Sequence, residues 1–207
     1  MIKRNIITAL CLLLIFYSCD NDNDNSIECD IDNFNIMTID ASSWDYWVYY
    51  SFELEDIVDI VNPESSLGWD IAFRRNNIIT NGGDSGIGQG CGMIDQNQSW
   101  TCNLFNSTNQ IPNDLVCESD AEISGTGLQL DPPYEGCYNR MTHEFEDCIK
   151  NPALDNWGWF DDGRHFNVTD SMLFIRDANG NDIKLWLLGY YGSEGSGFID
   201  MIFEKDF

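Results

Sequence analysis

Residues 67–86 read Leu-Gly-Trp-Asp-Ile-Ala-Phe-Arg-Arg-Asn-Asn-Ile-Ile-Thr-Asn-Gly-Gly-Asp-Ser-Gly, and the fold class is decided here. In an extended chain Trp69, Ile71 and Phe73 fall on one face, with Asp70 and Ala72 on the other. Residues 67–75 therefore read as a strand with one apolar face. Residues 76–80 continue as a second short strand. Asn81-Gly82-Gly83 then breaks the pattern, and Gly86, Gly88, Gly90 and Gly92 follow. A backbone so poor in Cβ atoms bends tightly or lies close to another segment.

The same pattern recurs outward. Residues 44–52 (WDYWVYYSF) are dense in aromatic and β-forming residues and read as a strand. Toward the C-terminus, residues 172–176 form a strand and Asp177-Ala178-Asn179-Gly180 a hairpin turn with the Asn-Gly pair that favours positive φ. Residues 183–191 return, 192–197 turn again, and 198–204 close the chain. Helical signal is thin. Met141, Phe145 and Cys148 share a helical face that Asn151-Pro152 would end, and Pro152 opens a further turn through Leu154 and Trp157. The expected class is mostly β, a β-rich α+β single domain with a few short helices and no internal repeat.

The chain has 207 residues, 35 acidic side chains, 10 Lys plus Arg and a formal charge of −25. Binding nucleic acid requires a basic face that displaces counterions from phosphates, so this composition excludes it. Docking on an anionic membrane surface fails for the same reason. The chain is nonetheless 43% hydrophobic and 13% aromatic, enough apolar surface to offset the entropy of ordering one domain.

Lys3 and Arg4 precede an apolar run, residues 6–17, that ends at Ser18-Cys19. The run has the length of a signal-peptide core and is too short to span a bilayer. Residues 1–18 are expected to be a signal peptide, with Cys19 lipidated as the first residue of a mature lipoprotein. Asp20-Asn21-Asp22-Asn23-Asp24-Asn25-Ser26 reads as a flexible acidic tether, placed within 19–43, ahead of a domain at 44–207. Its Asp-x-Asp spacing lacks the Gly and Glu of an EF-hand loop. The lost leader carries two cations and no acids, so the mature charge is −27, from eight cations against 35 acids.

Six cysteines remain: Cys29, Cys91, Cys102, Cys117, Cys137 and Cys148. An even number in an exported chain implies disulfides, with fifteen pairings open. No C-x-x-C occurs, which argues against a zinc ribbon or a redox site. The stretch 91–148 reads as Cys-rich loops stapled by bridges.

No enzymatic motif completes itself. Gly83-Asp84-Ser85-Gly86 looks like a serine-protease nucleophile segment, yet both histidines lie downstream of it and no His base takes the expected place. There is no G-x-S-x-G elbow, the Gly86-x-Gly88-x-Gly90 run opens no helix, and no spacing singles out a carboxylate pair. The chain is expected not to be an enzyme.

Three blocks together resemble the HmuY-like haem-binding lipoproteins of Bacteroidota. They are Trp47-Val48-Tyr49-Tyr50-Ser51-Phe52, the long stretch from Trp69 to Gly86, and a C-terminal set. The last comprises Asn151-Pro152, Trp157, Asp177-Ala178-Asn179-Gly180, Ile183-Lys184-Leu185, Tyr190-Tyr191 and Gly195-x-Gly197-Phe198. The resemblance implies a HmuY-like fold and a lipid anchor in the outer membrane, facing the cell exterior. It also implies non-enzymatic capture of haem b for transfer to a TonB-dependent outer-membrane receptor. Iron would be held only through the haem, by two axial side chains on loops, His in some members and Met in others.

Haem iron takes imidazole or thioether donors on opposite faces. The candidates are His165, His143 and Met141, with Met37, Met93, Met172 and Met201 as the remaining mature methionines. Arg140 and Arg164 adjoin the leading candidates and are expected to bind the propionates. Trp157, Trp159 and Tyr134 are candidate porphyrin walls. The rival reading is a lipoprotein of the same scaffold that binds another ligand, such as a glycan or peptide, without haem.

Overall fold

The alternation around Ile71 and Phe73 becomes part of a two-sheet arrangement with apolar residues on three layers. The computed structural model describes residues 31–125 and 136–207. Its strands are β1 (Met37–Asp40), β2 (Val48–Ser51), β3 (Asp56–Val58), β4 (Ile71–Arg74), β5 (Asn77–Thr80), β6 (Cys91–Ser99), β7 (Ala121–Ile123), β8 (Cys137–Asn139), β9 (Glu144–Glu146), β10 (Cys148–Lys150), β11 (Gly158–Phe160), β12 (Phe166–Val168), β13 (Ser171–Arg176), β14 (Asp182–Gly192) and β15 (Gly195–Lys205). The one α-helix among the described residues is α1 (Cys102–Ser107). A five-stranded sheet runs β1-β15-β14-β13-β6 and a four-stranded sheet β3-β2-β4-β5; β7/β10, β8/β9 and β11/β12 form separate pairs. The mostly β class is as expected.

Strand parity assigns the layers. Ile71 and Phe73, Leu173 and Ile175, and Leu185 and Leu187 share the main core, which the two sheets enclose. Met172, Phe174 and Trp186 face the other way and meet Met93, Trp100 and Phe105, where α1 covers the five-stranded sheet. Ala72 and Ile79 face out from the four-stranded sheet, beside Trp69, Trp47 and Tyr49. Burying one large side chain in such layers stabilises by roughly 1.5–3 kcal/mol.

Polar side chains lock the glycine-rich turn. Asn81, fully buried, donates from Nδ2 to the carbonyls of Ser66 (2.8 Å) and Trp69 (2.7 Å) and accepts from the Gly88 amide (3.2 Å). A Cβ on Gly82 would collide with the Gly90 backbone, which is the close approach its glycines anticipate. Asp70 accepts the amides of Phe52 (2.7 Å) and Ala178 (3.1 Å), joining the four-stranded sheet to the β13–β14 turn. Burial raises its carboxyl pKa.

Four expectations are corrected. The first strand is shorter than 44–52, because Trp44 and Trp47 turn outward before β2 begins. The packed region starts before residue 44: β1 pairs with β15, Ile39 opposite Ile199. Residues 141–148 are not helical. Tyr138, Phe145 and their neighbours alternate across β8 and β9 (Tyr138 opposite Phe145), so the face read at helical spacing was a hairpin and the strand after it. The stretch 91–148 is not all loop, since β6 pairs with β13 inside the main sheet and buries Cys91 and Met93.

Two disulfides are placed, Cys91–Cys117 and Cys137–Cys148, and Cys102 is also disulfide-bonded. Cys19, Cys29, Tyr134, the signal segment and the acidic run lie outside the described residues.

Candidate ligand-binding cleft

The outward face of β4 forms one side of a cleft. Because Ile71 and Phe73 turn inward, Arg74 turns outward. The β2–β4 register pairs Val48 with Phe73, which sets Trp47 across from Arg74. The Arg74 guanidinium lies 4.6 Å over the Trp47 ring, a cation–π contact. Burial lowers the Arg74 pKa, and the Asp45 charge partly opposes this.

The β8–β9 hairpin supplies the facing wall. The Cys137–Cys148 bond ties its base. Residues 140–143 form the turn, closed by the His143 amide donating to Asn139 O (2.9 Å) while Asn139 Oδ1 accepts the Met141 amide (2.8 Å). His143 takes φ 60°, a left-handed conformation that non-glycine residues seldom adopt. Its Nδ1 is hydrogen-bonded to Tyr138 Oη at 2.8 Å, which orients the ring. Met141 is 88% exposed.

Between these walls is a cleft of about 1090 Å³ lined by Trp44, Trp47, Arg74, Ile79, Tyr138, Arg140, Met141 and His143. Asp45, Asp84, Glu146 and Asp147 also contribute to its lining. A cleft of this size, with aromatic rings in its lining, is in the range of pockets that take small-molecule ligands.

The structure brings Arg140, Met141 and His143 together and sets His165 and Arg164 on another hairpin, β11–β12, outside the cleft lining. That hairpin is rooted in the core: Phe166 packs on Trp157 (4.6 Å between ring centres) and Tyr190 (4.7 Å). Its turn is built around Asp161, whose Oδ1 accepts the His165 amide at 2.8 Å. That bond is the largest reason why the Asp161 carboxyl pKa falls below its ordinary value. The His165 side chain is 75% exposed.

A ladder of rings and one cation joins the hairpins. Tyr138 meets Trp44 (5.6 Å), the Arg75 guanidinium lies over Trp44 (4.5 Å) and Tyr190 (5.6 Å), and Tyr190 meets Phe166. Arg75 is pinned by Nη1 donating to the carbonyls of Ser42 (3.0 Å) and Ser196 (2.7 Å).

The other methionines leave the contest for iron. Met93, Met172 and Met201 are core residues, and Met37 packs against the core. Trp157 is likewise core, its Nε1 donating to Asn76 O (2.9 Å), whereas Trp159 is half exposed. Sequence reasoning missed Arg74, Trp44, Trp47 and Tyr138. The outward parity of Arg74 was visible, but the wall facing it comes from residues more than 60 positions away.

The described residues form a β-rich scaffold with a wide cleft that has aromatic rings in its lining. The family profile described as HmuY protein matches residues 43–202, and the chain belongs to that family. Solved structures of similar fold include the apo HmuY analogue of Tannerella forsythia, with TM-score 0.60 and 16% identity over 83% of this chain and 95% of that one. A Bacteroides vulgatus HmuY-like protein to which haem binding is ascribed gives TM-score 0.58 and 16% identity, over 82% and 90%. A Bacteroides fragilis protein classed as a lipoprotein gives 0.57 and 16%, over 81% and 86%. A search of curated proteins finds no match.

Proposed function

We propose that this protein is a surface lipoprotein, anchored in the outer membrane through Cys19. In this reading it captures haem b and passes it to a TonB-dependent receptor without chemical turnover. The observation that carries the reading is the pair of hairpins, each presenting a histidine at its turn and joined by the Tyr138–Trp44–Arg75–Tyr190–Phe166 ladder. Opposite faces of the iron need donors from different elements. His143, oriented by Tyr138, is the first axial donor; His165, on the other hairpin, is the second. Met141 shares the turn of His143 and is its rival for the same face. In this reading the cleft's aromatic rings flank the porphyrin beside His143 and Arg140, while His165 and Arg164 reach it from the neighbouring hairpin, outside the cleft lining.

Haemin titration tests this directly. A Soret band should appear with the protein. His143→Ala should abolish or shift it, and His165→Ala should shift it by removing one axial donor. A wild-type protein with no Soret change would overturn the haem reading. It would leave the glycan or peptide reading, which the acids beside Trp44 and Trp47 favour, because carboxylates bind sugar hydroxyls next to stacking rings.

A further inference from the structure

Eight cations follow residue 18, and all lie among the described residues. Five have polar partners. Arg75 donates to Ser42 and Ser196; Lys150, Arg176, Lys184 and Lys205 pair with Asp155, Asp182, Glu204 and Glu55. Arg140 and Arg164 are exposed on hairpin turns, where water solvates them. Arg74 belongs to neither group. It is half-buried on the cleft lining, stacked on Trp47, and among the described residues no hydrogen bond or ion pair engages its guanidinium.

An arginine does not escape this by deprotonating. Burial strips water from its fork of N–H donors; the Trp47 face and the Asp45 charge offset part of that, but neither supplies a hydrogen-bond acceptor. The Trp47 ring, 4.6 Å from the guanidinium carbon, restricts where the fork can move, so less freedom is lost when it binds. The four acids on the lining disfavour an anion in the cleft except where a cation faces it; Asp45 is felt at Arg74 as well, so an anion there displaces that attraction.

We propose that Arg74 is the anion anchor of the cleft: its guanidinium takes a carboxylate of a planar aromatic acid bidentately, while Trp47 supports the same ligand end. The identity of that carboxylate as a haem propionate rests on the haem reading above, with Arg74 taking the propionate end inside the cleft in place of Arg140. The anchoring role does not, because an iron-free porphyrin acid presents the same group.

The test titrates the protein, Arg74→Gln and Arg74→Lys with haemin, protoporphyrin IX and protoporphyrin IX dimethyl ester, following tryptophan quenching and the Soret band. Far-UV circular dichroism and melting show that each variant is folded. Arg74→Gln should weaken both free acids by about 10- to 100-fold, as expected for losing a charge-assisted bidentate contact. It should leave the ester within about twofold of wild type, and Arg74→Lys should fall between. Equal losses for acid and ester would overturn the anchor and make Arg74 a packing residue. An unchanged Soret titration in Arg74→Gln would also overturn it while leaving the haem reading intact. Arg74-dependent binding of protoporphyrin IX by a protein that shows no Soret response to haemin would support the anchor and overturn the haem reading. Failure of the wild type to bind any of the three overturns both.

Discussion

The two histidine-bearing hairpins have the same outline and opposite foundations. The β11–β12 hairpin is held by rings: Phe166 is 6% exposed and meets Trp157, Phe160 and Tyr190. The β8–β9 hairpin has few such contacts below it. It is held by a disulfide and by polar groups at its base. Lys150 Nζ donates to Gly136 O (3.1 Å) and pairs with Asp155 (2.7 Å), and Asp147 Oδ1 accepts the Gly125 amide (2.8 Å). Below them Asp120 joins Thr80 of β5 to Asn151 just after β10. One histidine therefore rides on the core, the other on a stapled polar platform. On the proposed haem reading, one donor would be fixed by the core and the other would depend on covalent and electrostatic ties.

The contrast breaks most visibly at Phe166. Phe166→Ala should cost about 3–5 kcal/mol of global stability, because the ring is buried among three others and the cavity cannot be refilled. The urea midpoint should fall in step. A loss under about 1 kcal/mol would show that β11–β12 is not core-rooted.

A smaller effect is expected at the staple. Cys137→Ser with Cys148→Ser, or reduction of the folded protein, should cost about 2–3 kcal/mol on chain-entropy grounds for so short a loop. The loss should be local: amide exchange in residues 137–146 should quicken, while β11–β12 keeps its protection. Haemin affinity should fall with it. Equal loosening of both hairpins would remove the distinction drawn here.

The legible part was the C-terminal meander beneath the arm: the strands at 172–176, 183–191 and 198–204 and the turns at 177–180 and 192–197 follow period-two patterns broken by Asn-Gly and Gly. The β11–β12 arm itself was not legible, because its three-residue strands are too short to show a period and Trp157 reads there as part of a helical turn. In the platform arm Met141, Phe145 and Cys148 satisfy helical spacing, and nothing in the sequence reveals that Cys137 is bonded to Cys148 across a hairpin. Its residues were nevertheless named as ligands, since donor chemistry can be read without geometry. Arg74 shows the reverse case. Its strand and its face were readable, but a charged residue on an outward face looks solvated until a distant hairpin walls it in.

The smallest effect is a difference in sign with pH. Burial raises the carboxyl pKa values of Asp120 and Asp155, beneath the β8–β9 arm, above the ordinary 3.8. In the folded state these groups bind protons more tightly than in the unfolded chain, so their contribution is largest below about pH 4 and is lost as pH rises through the raised values. Asp161, in the turn of the β11–β12 arm, has its pKa lowered, chiefly by the His165 amide. Its contribution is complete above the ordinary 3.8 and is lost as pH falls through the lowered value. Acidification from the raised values down to about pH 4 should therefore raise the exchange protection of residues 137–150, and acidification below the ordinary 3.8 should then cost the turn at 161–165 its own. Protection factors corrected for intrinsic exchange read the two signs separately. Asp161→Asn should flatten the second trend alone, since the Asp120 and Asp155 carboxyls belong to the other arm. Parallel trends in both arms would mean that the overall charge of the protein, rather than these local carboxyls, governs its response to pH.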